Sequence, residues 1–169
     1  MPRTALILLL SLAIVAPLSA PALAAGEPAV RILSYGRYET RNAAQLVKGD
    51  RTAAGDLLPV LGHRLIEQTE VITGILGTSF GVELRFENFP IEPVQLTIRI
   101  LHPPITNPRT GKAMTVSEYD WIMTVRDKAY FGYRLGRPFE ISEGNWTQQI
   151  VYKGRVIAEK TFKVVVPLN

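Results

Sequence analysis

Two stretches of strict alternation between apolar and polar residues are the clearest pattern in this chain. Residues 80–86 read FGVELRF and residues 94–100 read VQLTIRI, with an apolar side chain at nearly every second position. A period of two residues is typical of a strand that buries one face and exposes the other. Two such segments joined by a short connection predict an antiparallel, all-β domain.

Further segments are rich in β-branched and aromatic residues, which favour extended structure, and we interpret each as a strand. They cover residues 30–40, 63–73, 115–125, 130–135 and the two arms of a C-terminal hairpin. Together they predict about seven or eight short strands and no helix. That pattern indicates an immunoglobulin-like, two-sheet antiparallel sandwich, formed by residues 25–169 as a single domain.

The C-terminal hairpin carries its own register signal. An odd-length turn, with Lys153-Gly154-Arg155 as its shortest form, brings three apolar pairs to one face: Trp146 with Phe162, Ile150 with Ala158, and Tyr152 with Val156. A two-residue turn would place Trp146 and Phe162 on opposite faces, so the hydrophobic pattern favours the odd length.

Residues 41–59 (RNAAQLVKGDRTAAGDLLP) show no sustained period and contain three turn signals. We therefore predict a long loop. A loop of this length is unusual in a compact domain and is either functional or mobile; mobility is the favoured interpretation.

The first 24 residues predict a signal peptide that is cleaved after Ala24 or Ala25. Arg3 precedes an apolar run, and Ala22-Leu23-Ala24 has the small-x-small pattern of a processing site. The run is too short for a good membrane span. A retained N-terminal anchor is the alternative to cleavage, and after processing we expect no span. The chain has no cysteine, which excludes disulfides, a thiolate nucleophile and a Cys-ligated zinc site. We expect a periplasmic or secreted protein.

Several fragments, in this order, resemble those of small exported bacterial proteins: GTSFG (77–81), HPP (102–104), SEYDW (117–121), FGY (131–133), PFEISEGNWT (138–147) and AEKTFKV (158–164). These proteins form the family called domain of unknown function 3859, which the mature chain resembles along most of its length outside residues 41–59. The resemblance implies an immunoglobulin-like fold and an envelope location. It implies no activity, cofactor or catalytic residue.

The 19 Lys and Arg against 15 Asp and Glu give a net charge of +4 that is spread along the chain. Because a nucleic-acid binder is expected to concentrate such charge in one stripe, we expect no nucleic-acid partner. One local basic cluster stands beside aromatic residues and is the candidate binding site for an anionic polymer, although a solvated strand face is the simpler interpretation. Its members are Arg126, Lys128, Arg134 and Arg137.

The two histidines, His63 and His102, do not have the spacing of metal ligands, so no metal or other cofactor is expected. His102 with Ser117, Glu118 or Asp120 is a conceivable hydrolytic constellation, but no nucleophile motif accompanies it. The sequence therefore predicts a non-catalytic binding module of the cell envelope with an unknown protein or anionic polymer as partner. The alternatives are a cell-envelope hydrolase or other enzyme, and a periplasmic assembly factor that acts by edge-strand pairing.

Overall fold

The computed structural model describes residues 26–124 and 128–168. The predicted signal peptide, residues 1–24, and one residue of the basic cluster, Arg126, lie outside these ranges. Within them, no helix is both long enough and apolar enough to cross a bilayer.

The described residues form a sandwich of two β-sheets. A four-stranded sheet has the order β4-β1-β6-β9, and a five-stranded sheet has the order β5-β11-β10-β7-β8. Neighbouring strands are antiparallel except β5 and β11, which are parallel. The elements are β1 (Ala29–Asn42), β2 (Val47–Lys48), β3 (Asp56–Leu57), β4 (Val60–Glu67), β5 (Val71–Thr73), β6 (Ser79–Glu87), β7 (Val94–Thr106), β8 (Ala113–Met123), β9 (Lys128–Arg134), a 3-10 turn (Pro138–Glu140), β10 (Gly144–Tyr152) and β11 (Arg155–Val165).

The predicted all-β, immunoglobulin-like sandwich is confirmed, with more strands than expected. Residues 63–73, interpreted as one strand, belong to two: β4 pairs with β1, and β5 pairs with β11 in the other sheet. The hydroxyl of Thr69 bonds the N–H of Val71 at 3.1 Å. This side-chain turn competes with strand pairing and separates the two strands.

The core confirms the alternation predicted for residues 80–86 and 94–100. In both strands the apolar residues of the pattern are buried and point between the sheets. Phe80 lies at the centre, where its ring centroid is 5.8 Å from that of Trp146 and 5.3 Å from that of Phe162. These edge-to-face contacts join the four-stranded sheet to the five-stranded one.

The C-terminal hairpin has the predicted faces but a different turn. Trp146 pairs with Phe162 and Ile150 with Ala158, as expected. The predicted odd-length turn and the pairing of Tyr152 with Val156 are wrong, because Tyr152 pairs with Arg155 across a two-residue turn. Both turn residues have positive φ, 48° at Lys153 and 76° at Gly154, which matches the twist of hairpin strands. A register shift after Ile150 places one extra residue in β11. With that extra residue, Trp146 and Phe162 still lie on the same face despite the even turn length.

The first two residues of the predicted loop 41–59 belong to β1, and the rest is a folded excursion, which we call the arch (residues 43–59). Its ends are closed by a hydrogen bond from the Ala43 N–H to the Pro59 carbonyl at 2.8 Å. Inside it, β2 and β3 pair with each other, and Thr52, Ala53 and Ala54 are buried. Long-range contacts therefore fold this segment, and its mobility stays a prediction.

The tip of the arch is hydrogen-bonded to the five-stranded sheet. The Glu118 N–H on β8 donates to the Arg51 carbonyl at 2.8 Å, and the Ala53 N–H donates to the Ser117 hydroxyl at 2.9 Å. The side-chain amide of Asn107 also donates to the Ala53 carbonyl at 3.1 Å. The arch thus spans from the β1–β4 end of one sheet to the edge of the other.

An ion pair holds the returning limb of the arch. A guanidinium nitrogen of Arg137 lies 2.6 and 2.8 Å from the two carboxylate oxygens of Asp56 on β3. The Asp56 side chain is only 15% exposed and also lies 3.4 Å from Arg109. The hydrogen bond that Arg137 donates to the Asp56 carboxylate raises the pKa of Arg137. This ion pair connects the arch to the segment that links β9 to β10.

Replacing Trp146 by Ala should lower the free energy of unfolding by about 3–5 kcal/mol, because the side chain is fully buried between the sheets. Gln149→Ala is the matched control on the exposed face of the same strand, where its amide bonds Glu159, and should cost about 0.5 kcal/mol or less. Urea denaturation measures both values. Equal losses in the two variants would contradict the assignment of faces.

Replacing Asp56 by Ala should speed trypsin cleavage after Lys48 and Arg51 about tenfold. Loss of a charge-assisted hydrogen bond costs about 1.5–3 kcal/mol, and cleavage inside a folded segment follows the population of its open form. Asp50→Ala is the control, since Asp50 is exposed and its carboxylate contacts Lys48 alone among the described residues. Mass spectrometry of the fragments gives the rates. Equal rates in the two variants would mean that the ion pair does not hold the arch.

Candidate functional site

The sandwich is open on the side where the two sheets end in β9 and β8. Each is the last strand of its sheet, and the arch passes across the gap between them. Beneath the arch is a cavity of about 460 Å³, which we call the cleft. Ligand pockets in proteins usually have volumes of about 300–1,000 Å³, so the cleft has the size of a binding site.

The mouth of the cleft is apolar and faces solvent. Five large apolar side chains at the mouth are between 37% and 55% exposed: Leu46, Val47, Leu58, Val60 and Trp121. Four of them belong to the arch or to the residue that follows it. An exposed apolar surface of this kind, concentrated around a concavity, is a mark of an interaction site.

The floor of the cleft is made of aromatic side chains from both edge strands. Trp121 of β8 packs edge-to-face against Phe131 of β9, with ring centroids 4.9 Å apart. Tyr119 lies beside them in the lining, and burial raises the pKa of its hydroxyl. The floor is therefore rigid and apolar, with a phenol hydroxyl as its polar group.

One end of the cleft is polar, but its charged groups are already paired. The Tyr133 hydroxyl donates to Oε1 of Glu140 at 2.8 Å, and Arg137 is bonded to Asp56. Glu140 is nearly inaccessible, and burial raises the pKa of its carboxyl group. Burial likewise raises the pKa of Tyr133. Since these groups compensate one another, this end favours a neutral or weakly polar ligand over a strongly ionic one.

The backbone of β9 has hydrogen-bonding groups that face the cleft. The Leu135 N–H donates to the Thr78 carbonyl at 2.9 Å, and the register pairs Tyr133 with Phe80 and Phe131 with Val82. Because the direction of backbone groups alternates along a strand, these odd-numbered residues face β6. The N–H and C=O groups of Tyr130 and Gly132 therefore face away from β6. Among the described strands β9 has no second neighbour, and no described turn or loop residue bonds these groups.

The Tyr130 hydroxyl is also without a partner among the described residues, although the side chain is only 8% exposed. Its ring stacks on His63, with centroids 4.7 Å apart, and lies over Gly132, where a Cβ would come within 2.1 Å of the hydroxyl. Tyr130 lines the cleft from the outer face of the sheet. An unpaired buried hydroxyl of this kind is costly unless a ligand or water bonds it.

Of the described members of the basic cluster, Arg134 and Arg137 both line the cleft, whereas Lys128 does not. Lys128 and Arg134 are at opposite ends of β9, about 20 Å apart at the rise of a strand. Arg137 is bonded to Asp56. Arg126 lies outside the described residues. Whether these side chains bind an anion stays a prediction.

The structure does bring His102 and Ser117 together. The Ser117 hydroxyl lies 3.0 Å from Nε2 of His102, and Nδ1 lies 2.8 Å from the Pro103 carbonyl. A carbonyl only accepts, so Nδ1 carries the proton and Nε2 accepts from Ser117. Burial lowers the pKa of His102, which favours this neutral form. Ser117 also accepts from the Ala53 N–H, so its hydroxyl links His102 to the arch.

The carboxylates of the conceivable hydrolytic constellation lie elsewhere. Glu118 is bonded to Arg99 at 2.5 Å, and Asp120 to Thr97 at 2.8 Å and Arg51 at 2.7 Å. The hydrogen bonds from Thr97 and Arg51 lower the pKa of Asp120. Neither carboxylate reaches Nδ1 of His102. His63, the other histidine, lies 3.5 Å from Glu83, and no group of three or more potential metal ligands occurs in the described part of the chain.

Most residues of the cleft were not singled out from the sequence. The available signal was the symmetry of the arch sequence, in which Leu46-Val47 and Leu57-Leu58 flank the turn residues. Two apolar pairs around a turn are typical of a hairpin with a surface to cover. Asp56 and Glu140 carried no signal, because their partners Arg137 and Tyr133 become known only from the tertiary structure.

The fold has a solved counterpart. An immunoglobulin-like protein from Pseudomonas aeruginosa, whose crystal structure was determined at 1.50 Å, superposes with a TM-score of 0.63. The two chains are 22% identical, and the match covers 84% of this chain and 99% of that one. None of the curated proteins is similar in sequence to this chain. Residues 27–164 match the family described as Domain of unknown function (DUF3859). The chain therefore belongs to the DUF3859 family.

Proposed function

We propose that this protein is a non-catalytic binding module of the bacterial cell envelope and that the cleft is its ligand site. The observation that carries the proposal is the solvent-facing, apolar cavity of about 460 Å³. Packing of the arch directly onto β8 and β9 would bury its leucine and valine side chains, but the arch instead spans an open space. A cavity with apolar walls and few polar groups is the usual form of a small-ligand or peptide site.

Export is the second part of the proposal. The apolar run after Arg3 and the small-x-small pattern before Ala25 support a leader that is removed, leaving residues 25–169 as one domain. The absence of cysteine from the whole chain is compatible with a bacterial envelope protein that depends on its core for stability. The proposed location is the periplasm or the cell exterior.

Hydrolysis is the alternative function, and the hydrogen bond between Ser117 and His102 is its best support. Binding is favoured because the Ser117 hydroxyl is buried and already accepts the Ala53 N–H. The orienting partner of His102 is a carbonyl rather than a carboxylate. The second alternative, a periplasmic assembly factor that lends an edge strand to client proteins, would use the same β9 edge that borders the cleft.

The apolar dye 8-anilinonaphthalene-1-sulfonate tests the cleft as a binding site. We expect one saturable site in the folded protein, with affinity reduced at least tenfold in Leu58→Arg, because a charged side chain at the mouth opposes entry of an apolar group. Ile91→Arg is the control: Ile91 is 89% exposed and does not line the cleft, so its affinity should stay within twofold of wild type. Equal binding by all three proteins, with unchanged melting curves, would contradict the proposal.

A further inference from the structure

We propose that the occupant of the cleft is an extended peptide segment that pairs with the free edge of β9 and adds a fifth strand to the four-stranded sheet. This inference rests on the proposed function, since it names the ligand of the same cleft. Three independent features of the cleft support it: the unpaired backbone of β9, the position of the walls, and the unpaired hydroxyl of Tyr130.

The first feature is the set of backbone groups that face the cleft. Tyr130 and Gly132 together present two N–H donors and two C=O acceptors that no described residue bonds. Farther along the strand, the Arg134 carbonyl is bonded by the Gly136 N–H at 2.8 Å, so the free edge ends there. An added strand satisfies such alternate donors and acceptors with its own amides. The free edge is long enough to pair with a segment of about five residues.

The second feature is that the walls of the cleft lie on both faces of β9. Phe131 and Tyr133 point into the sandwich, where Trp121 and Tyr119 continue the wall. Tyr130 points to the outer face, where arch residues continue the wall. Successive side chains of an extended peptide point to opposite faces. A strand beside β9 would therefore place every second side chain against the inner wall of the cleft and the others against the outer wall. A single acyl chain or small aromatic molecule would need only one of these walls.

The third feature is the buried Tyr130 hydroxyl, which lacks a partner among the described residues. This hydroxyl lies over Gly132, one of the two residues whose backbone groups face away from β6, so the polar atom without a partner is next to the free edge. The charges around the edge favour acidic end residues, because Lys128 and Arg134 are exposed at the two ends of β9. The ligand chemistry is therefore an extended segment of alternating apolar residues with acidic flanks.

The test uses the full mature chain and the acetylated, amidated peptide Asp-Val-Thr-Val-Thr-Val-Asp. In the free protein, the Tyr130 and Gly132 amides should exchange with solvent faster than those of Phe131 and Tyr133, which pair with β6. On saturation with the peptide, we expect exchange at Tyr130 and Gly132 to slow at least tenfold in NMR-detected hydrogen exchange. Closure of the arch over a small molecule would not slow amide exchange at every second residue of β9 only.

Two backbone variants of the peptide provide the control for side-chain contacts. One is N-methylated on its valines and the other on its threonines, so each loses the N–H donors of one strand edge and keeps every side chain. The variant whose methyl groups lie on the edge that faces β9 should bind at least tenfold more weakly than the parent peptide. The other variant should bind within threefold of the parent. Equal affinity for the parent peptide and both methylated variants would overturn the proposal, because the peptide would then be held by side chains alone.

The remaining outcomes separate this inference from the proposed function. Saturable dye binding that depends on Leu58, without peptide binding, would overturn the peptide assignment and leave the cleft as a binding site. Failure of both probes would overturn both. Protection of Tyr130 and Gly132 in the peptide-free protein, together with a dimer in solution, would mean that a second copy occupies the edge and would also overturn the inference.

Discussion

The structure depends on the packing of Trp146 between the two sheets. Its ring contacts Phe80 of the four-stranded sheet, and its Nε1–H donates to the Ser142 carbonyl at 3.0 Å. With no cysteine in the chain, this aromatic contact has the central position in the core that a disulfide takes in many immunoglobulin domains. Most of the folding free energy must therefore come from apolar burial around it.

The same side chain connects the core to the cleft. On one side, Trp146 packs against Tyr133, with ring centroids 4.9 Å apart, and Tyr133 bonds Glu140 at the polar end. On the other side it packs against His102, which bonds the Ser117 that holds the arch tip. The position of the arch is thus coupled to the core by direct contacts. A rigid frame that holds a recognition segment in this way is typical of binding domains.

The arch also resolves a general difficulty of open sandwiches. Unpaired edge strands are templates for unwanted association, and proteins often cover them with a loop or place Lys and Arg on them. Here both devices are present on β9, with the arch above it and Lys128 and Arg134 at its ends. Hydrogen bonds at its base and tip and the Asp56–Arg137 ion pair hold the arch beside this edge, and the cleft lies open beneath it.

The sequence predicted what depends on short-range periodicity. The alternation in β6 and β7, and the pairing of Trp146 with Phe162, follow from apolar residues two positions apart. The hairpin turn was missed because a bulge after Ile150 compensates for the even turn length, and a bulge leaves no mark in the hydrophobic pattern.

The cleft depends on contacts between residues that are far apart in sequence, and this limited what could be foreseen. The arch sequence carries no hydrophobic period, since hydrogen bonds with Asn107 and Ser117, rather than a row of core-facing side chains, hold it in place. In the basic cluster, closeness in sequence did not mean closeness in space, because Lys128 and Arg134 are separated by the full length of β9. The contact between His102 and Ser117 was within reach of sequence reasoning, as both lie on neighbouring strands β7 and β8.

A crystal structure of the mature protein saturated with the Asp-terminated peptide would show what occupies the cleft. We expect an extended chain under the arch, with N–H···O bonds to Tyr130 and Gly132, side chains on both faces of β9, and the Asp56–Arg137 ion pair in place. A structure in which the peptide lies elsewhere, or in which the arch has closed onto Trp121 and Phe131 and removed the cavity, would contradict this expectation.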